Sequence, residues 1–412
     1  MNVERVVRET LHEMSAMEGV RVPGDFADRV LRVRRTRRFR KAAAAALGTV
    51  AVLVAALLVP ALDSGSRDRG LPAGLSDADV VTDLGDTRPQ HQVAAGDTAL
   101  SAYYTLGWGP EQDSKRPIVR TWYLLNTSTG RYEKTPWAYI DVARGLKTAA
   151  VLEGPLPAKR VGLVDMSTGK VTRWINLGRA AGGVSWSPQG DKLAVTTSIA
   201  GKPSKDGFHT ESADSDIPRD QNLSRRFWDI ERTGYYVVDP ATGASVWRSC
   251  PLPETEGDSP LVWRMGDAKW SRDGSLIKME GATNTGRPRF YDLQGRQRPA
   301  PAGEDPEHPS TGGVSPNGRL VAGDNVPMGN NITEVLNSGT GHVVETQPVD
   351  ELVAWADDQR VIAWQSDSIR CTRSQYCQRL VVVDIDGDHM KPLTAPRTSR
   401  PGQAWEPVFT HR

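Results

Sequence analysis

Two kinds of tight hairpin alternate along the chain, and the first kind recurs 44 and then 41 residues apart, from Trp270 to Val314 to Trp355. This pattern predicts an all-β fold, a β-propeller of about six four-stranded blades. Two more observations frame it. Residues 42–62 run for twenty-one positions without a charge, and none of the common catalytic motifs interrupts the 412 residues.

The first 41 residues read as a short helical tail. Val3, Val6, Val7, Leu11, Met14 and Met17 fall at spacings of three and four, one apolar stripe on a helix. Gly19 and Pro23 interrupt it, and Asp25 is a fair N-cap for a second helix through Phe26, Val30 and Val33. Eight basic residues follow without an acid: Arg29, Arg32, Arg34, Arg35, Arg37, Arg38, Arg40 and Lys41. As a helix, 42–62 would reach about 31 Å, the thickness of a bilayer's hydrocarbon core. Positive charge stays on the cytoplasmic side, so the reading is a single-pass cell-membrane protein with its N-terminus inside and its C-terminal part outside. A cleaved signal peptide, ending at Val59-Pro60-Ala61, is the alternative. The tail and helix would hold membrane lipid, the arginines attracting anionic headgroups. The stripe also admits a cytoplasmic protein partner.

Residues 63–90 are rich in Gly, Pro, Asp and Ser and read as a flexible linker, with a short strand at Val80–Val81. The propeller is expected over 91–412. Its clearest first hairpins are VSWSPQGDKLAV from Val184, AKWSRDGSLIKM from Ala268, GGVSPNGRLVAG from Gly312 and LVAWADDQRVIAW from Leu352. Pro188 and Pro316 preset φ in the turn, and a glycine two residues on in each supplies positive φ. The second hairpins are YYVVDPATGASVW from Tyr235, RFYDLQGRQ from Arg289, TEVLNSGTGHVVE from Thr333 and LVVVDIDGDHMKPL from Leu380. Asp239, Asp292, Asn337 and Asp384 close their incoming strands. Weaker copies pair segments starting at Ala94 and Thr121, and at Tyr139 and Arg160. The recurrent Trp and Val positions are then inter-blade packing.

Trp186 to Trp270 spans about two periods. The excess, 199–233, reads as one insertion into the third blade; a degenerate seventh blade is the alternative. Phe208, Phe227, Trp228 and Ile230 are apolar groups within it that would be anchors of an interaction loop; alternatively Phe227, Trp228 and Ile230 pack the loop's return onto the blade.

The W-S-P-x-G turn followed by D-x-x-T-G resembles bacterial TolB-like and WD-repeat-like propellers, firmly over about half of the chain. Full G-H…W-D signatures are absent. The layout also resembles bacterial single-pass proteins with an Arg-rich cytoplasmic tail and an outer propeller. In some of these the tail is thought to hold a sigma factor. Here the zinc-binding H-x-x-x-C-x-x-C of many such tails is missing, since residues 1–41 contain His12 and no Cys.

The remaining chemistry is mostly exclusion. There is no G-x-S-x-G elbow, no Walker A loop and no G-x-G-x-x-G between strand and helix. Net charge is +5 over 1–41 and −4 over 63–412, which leaves no basic surplus outside for nucleic acid. Arg outnumbers Lys thirty-nine to twelve, a composition of GC-rich bacterial genes. Asp384, Asp386 and Asp388 are weak candidates for a calcium loop, set against a plain turn. Asp214, Asp216 and Asp220 are weaker still. Cys371 and Cys377 could form a disulfide around a short loop in an oxidising compartment, leaving Cys250 as a single thiol. The function expected is therefore an extracytoplasmic binding, sensing or scaffolding module, without catalysis or cofactor, whose propeller takes a protein or small ligand. The rivals are a transmembrane regulator with a sigma-factor-binding tail, and a propeller hydrolase or lyase with a channel metal.

Overall fold

Local turn chemistry builds the hairpins. In the first kind, a serine after the Trp or Val position caps its own turn. Ser187 Oγ accepts from Asp191 N and Lys192 N at 3.1 and 3.0 Å, and Ser271 Oγ from Leu276 N at 2.9 Å. Ser315 Oγ accepts from Leu320 N at 3.0 Å. In the second kind a carboxylate or amide caps two backbone amides. Asp239 Oδ1 accepts from Ala241 N and Thr242 N, and Asn337 Oδ1 from Gly339 N and Thr340 N. These Ser and Asx-type caps act within a few residues of the turn they close.

The computed structural model describes residues 71–108, 118–200, 230–249, 267–279, 288–301, 304, 312–325, 332–366, 377–387, 389–398 and 404–412. The expected tail 1–41, the uncharged stretch 42–62 and the start of the linker lie outside them. Among the described residues every regular element is a strand, and no helix is long and apolar enough to cross a membrane.

The first sheet holds β1 (Val80–Val81), β2 (Ala94–Ala95), β3 (Thr98–Trp108), β4 (Ile118–Asn126) and β5 (Arg131–Lys134). The second runs through β6 (Tyr139–Val142), β7 (Thr148–Leu152), β8 (Ala158–Asp165), β9 (Lys170–Trp186), β10 (Leu193–Ala200), β11 (Ile230–Val238) and β12 (Ser245–Ser249). Its long β9 ends one meander and begins the next. The third is β13 (Ala268–Trp270), β14 (Ile277–Met279), β15 (Arg289–Tyr291) and β16 (Gln297–Arg298). The fourth is β17 (Leu320–Asn325), β18 (Thr333–Asn337) and β19 (Val343–Gln347), with Val314 bridging to Val321 where a first strand is expected. The fifth is β20 (Glu351–Trp355), β21 (Arg360–Ser366), β22 (Cys377–Asp384) and β23 (Met390–Pro392), with β24 (Arg397–Thr398) on β22.

The last strand, β25 (Trp405–His411), returns to the first sheet and pairs antiparallel with β3. The C-terminus thus supplies the inner strand of the first meander. That meander touches the second sheet, where Gly145 N donates to His411 O at 2.9 Å. It also touches the last sheet, where Asp97 N donates to Ala356 O at 2.8 Å and Thr98 Oγ1 to Trp355 O at 2.8 Å. With β6 beside β9, β9 beside β13 and β17 beside β20, the order is propeller-like. The largest core cluster bridges this closure, from Leu100 and Trp122 in the first sheet to Trp364 and Val382 in the last.

Two sequence boundaries move. Residues 71–90 are not a free linker. Val80 and Val81 pair with Ala95 and Ala94, as the Val pair predicts, but Leu71 and Leu75 also pack on the core, and Asp83 N donates to Leu393 O at 2.9 Å. Polar composition misled here, because the Asp and Ser groups are spent on specific acceptors and donors. The ladder also takes in Ile199 and Ala200, paired with Glu231 and Ile230, so the insertion is narrower than its composition suggests.

Candidate functional site

β10 is flanked by a register shift on each side at nearly the same level. Against β11, Thr197 pairs with Gly234 and Ser198 with Arg232, so Thr233 is the extra residue. Against β9, Thr196 pairs with Gly183 and Thr197 with Ala181, so Gly182 is extra. A bulge turns the side chains beyond it to the opposite face of the strand. Arg232 is thereby sent to the face that meets β13. There its Nη2 and Nε reach Asp267 Oδ1 at 3.1 and 3.3 Å, with the two side chains 12% and 17% exposed. On the other bulged strand Gly183 clears the space. A Cβ there would lie 2.7 Å from the Asp267 carboxylate. Thr196 Oγ1 accepts from Ala268 N at 2.7 Å and locks the level of β13.

The neighbouring inner strand adds a second carboxylate. Trp186 N donates to Asp141 Oδ2 at 2.6 Å across the gap from β9 to β6. Burial pushes the Asp141 carboxyl up to about 6, against the opposing pull of that hydrogen bond and of the Lys269 charge. Tyr139, two residues before it, has its hydroxyl raised well above the ordinary range by burial, with the Asp267 charge adding to the effect. Arg232 on β11 and Asp267 just before β13 thus pair between two neighbouring meanders, and Tyr139 and Asp141 on the inner strand β6 feel the charges of Asp267 and Lys269. The chemistry of this group is mixed: two carboxylates, two cations and a phenol, suited to hydrogen-bonded recognition of a polar group.

The residues singled out from sequence lie elsewhere. Ile230 begins β11 and pairs with Ala200; Phe208, Phe227 and Trp228 lie outside the described residues. Cys377 opens β22 and is disulfide-bonded, while Cys371 and Cys250 lie outside the described residues. Asp384 and Asp386 sit in the β22–β23 turn, where Asp384 Oδ2 is 3.2 Å from His389 Nδ1; Asp388, Asp214, Asp216 and Asp220 lie outside. Among the described residues no three His, Cys, Asp or Glu groups converge as metal ligands. The sequence reading missed the group around Asp267. The signals that could have shown it are the Gly182-Gly183 doublet and the Arg-Thr-Gly run before Tyr235.

Strand order and closure define the described residues as an all-β, propeller-like architecture. No protein-family model and no curated protein sequence matches it. Among solved structures it is similar to TolB from Acinetobacter baumannii, at 17% identity over 77% of this chain and 68% of that one, with a TM-score of 0.40. It is similar to an oligogalacturonate lyase in complex with manganese, at 12% identity over 76% and 86%, TM-score 0.41. It is also similar to a chain of the Mitotic Checkpoint Complex, at 12% identity over 84% and 88%, TM-score 0.37.

Proposed function

We propose that this chain is a membrane-anchored, extracytoplasmic β-propeller of six blades that binds a ligand or partner and catalyses no reaction. The six blades are the five sheets with the seven-stranded one divided at β9. The anchor rests on the uncharged stretch 42–62 behind its basic run, and the tail 1–41 stays in the cytoplasm. The observation that carries the binding role is the group Tyr139, Asp141, Arg232, Asp267 and Lys269, in which bulges on either side of β10 set Arg232 and Gly183 against Asp267. Bulges of this kind recur where a strand must re-aim a side chain for function. The partner is a polar molecule or a protein loop that can meet both signs of charge.

The test uses full-length protein with a reporter fused after Arg412, and cross-linked capture from intact cells. Reporter activity outside the cytoplasm, and a captured species lost from the Tyr139→Phe/Lys269→Glu double variant, support the reading. A reporter active only inside overturns the topology. Equal capture by wild type and variant moves the binding site off the inner strands.

A further inference from the structure

The closing strand β25 belongs to the first sheet only through non-covalent contacts, and the segment 71–92 grips it at both ends. At its start Trp405 Nε1 donates to Thr87 O at 2.9 Å. Just beyond its end Arg412 donates to three successive parts of the same segment: Nη1 to Ser76 O at 3.3 Å, and Nη2 to Ala78 O at 2.9 Å and Asp79 O at 3.3 Å. Its Nε donates to Gly96 O at 2.7 Å, tying in the turn before β3.

The segment is itself held on both sides of the joint. Toward the last sheet, Asp79 takes Arg360 Nη1 and Nη2 at 2.6 and 2.7 Å, while Arg360 Nε also donates to Asp357 at 2.8 Å. Asp83 forms a parallel bridge to Thr394. Toward the first sheet, Val80 pairs with Ala95, Tyr103 Oη donates to Pro89 O at 2.9 Å and Gln92 N to Gly130 O at 2.8 Å. Gly96 completes the knot: its φ is +52° and a Cβ would lie 2.6 Å from Ala356 O, so the turn sits directly on the last sheet.

We infer that residues 71–92 are a latch: they hold the ring shut at the joint between its first and last meanders, and freeing them releases β25 before any other strand. The physical reason is asymmetry. Within the second sheet β9 carries the chain directly from one meander into the next. At the joint between the first and last meanders, by contrast, a strand joined to the last sheet has to stay paired with the first, so the ring can open there without breaking up a continuous meander. The proposal does not depend on the binding role of the group around Asp267, whose residues it leaves untouched. It gives the N-terminal side of the chain a means of acting on the ring, since any load or cleavage delivered upstream of Leu71 meets the latch first.

Hydrogen exchange of the full-length protein, resolved by peptide, tests this. In Arg412→Ala, and separately in Asp79→Asn/Arg360→Gln, peptides covering 71–92, Trp405–His411 and Thr98–Trp108 should exchange about tenfold faster, the loss expected from removing charge-assisted hydrogen bonds. Peptides covering β7 and β10 should be unchanged. Arg160→Gln, which removes the 2.8 Å Glu153 pair within the second sheet, should leave all of these peptides as in wild type. If Arg412→Ala fails to accumulate, Arg412→Lys, with a single donor arm, should show a smaller loss at the same peptides. Unchanged protection of β25 in every variant overturns the latch. So does equal loss in β7 and β10, which would mean that the joint has no opening of its own.

Discussion

Asp141 places a carboxylate on an inner strand, where Trp186 N donates to it at 2.6 Å. Its folded pKa of about 6 lies above the ordinary value of 3.8. Between about pH 4 and 6 the native state therefore holds a proton that the unfolded chain has lost, and stability falls as pH rises through that window. Asp141→Asn removes the charge and keeps an acceptor for Trp186 N. It is expected to stabilise the protein by about 1–2 kcal/mol at pH 7, less than the full shift because the group is part-exposed, with the gain gone by pH 4. Urea melts across that range measure it; a variant no more stable than wild type at pH 7 would show that the site ionises without cost. Asp292 has the opposite sign. Burial alone would raise its carboxyl, but hydrogen bonds from Arg296 and Arg298 hold it at about 2, so its contribution persists above pH 4 and is lost as the pH falls toward 2. Neither behaviour is legible in the sequence. Tyr-Ile-Asp-Val reads as any alternating strand, and the Gly182-Gly183 and Arg-Thr-Gly runs mark bulges without naming Asp267, 35 residues on, as the partner of Arg232.

At the scale of elements the hairpins were readable, because a Ser or Asx cap and a turn glycine act within a few residues of one another. The Trp positions behave as inter-meander contacts, each in its own way. Trp270 Nε1 donates to Ser185 O and Trp355 Nε1 to Gly313 O, each at 3.0 Å and each to the preceding first-strand segment. Trp186 Nε1 finds no acceptor among the described residues. Replacing Trp270 or Trp355 by Phe should cost about 1 kcal/mol more than replacing Trp186, since only the first two lose a hydrogen bond in addition to packing. Chemical denaturation of the three single variants decides it; equal losses would show that packing alone sets the value of these positions. The segment 71–90 was unreadable for the converse reason. Its partners are the Leu393 carbonyl, which accepts from it, and the Arg360 and Arg412 guanidinium groups, which donate to it, all hundreds of residues away in sequence, and its own composition is that of a linker.

For the whole molecule, the repeat was visible because each copy carries the same local turns, while closure was not, because it joins Trp405–His411 to Thr98–Thr105 across the length of the domain. The same non-local pairing sets where the chain can be cut. The β10–β11 ladder continues to Ala200 opposite Ile230, and paired antiparallel residues stand about 5 Å apart at Cα. A four-residue Gly/Asn loop can therefore replace 201–229 without straining either strand. Replacing the wider span 199–233, which composition alone suggests, removes the Ile199–Glu231 and Ala200–Ile230 rungs, the Thr233 bulge and Arg232 with them. The narrow replacement is expected to fold and to melt in one transition close to wild type, with the Asp267 ion pair retained. The wide one should lose about 1–3 kcal/mol or more, because Asp267 would keep its part-buried charge without Arg232. Thermal melts of both, with Asp267→Asn placed in the wide variant, separate the causes. Partial recovery on neutralising Asp267 points to the orphaned carboxylate, whereas a narrow variant that fails to fold would make 201–229 part of the propeller itself.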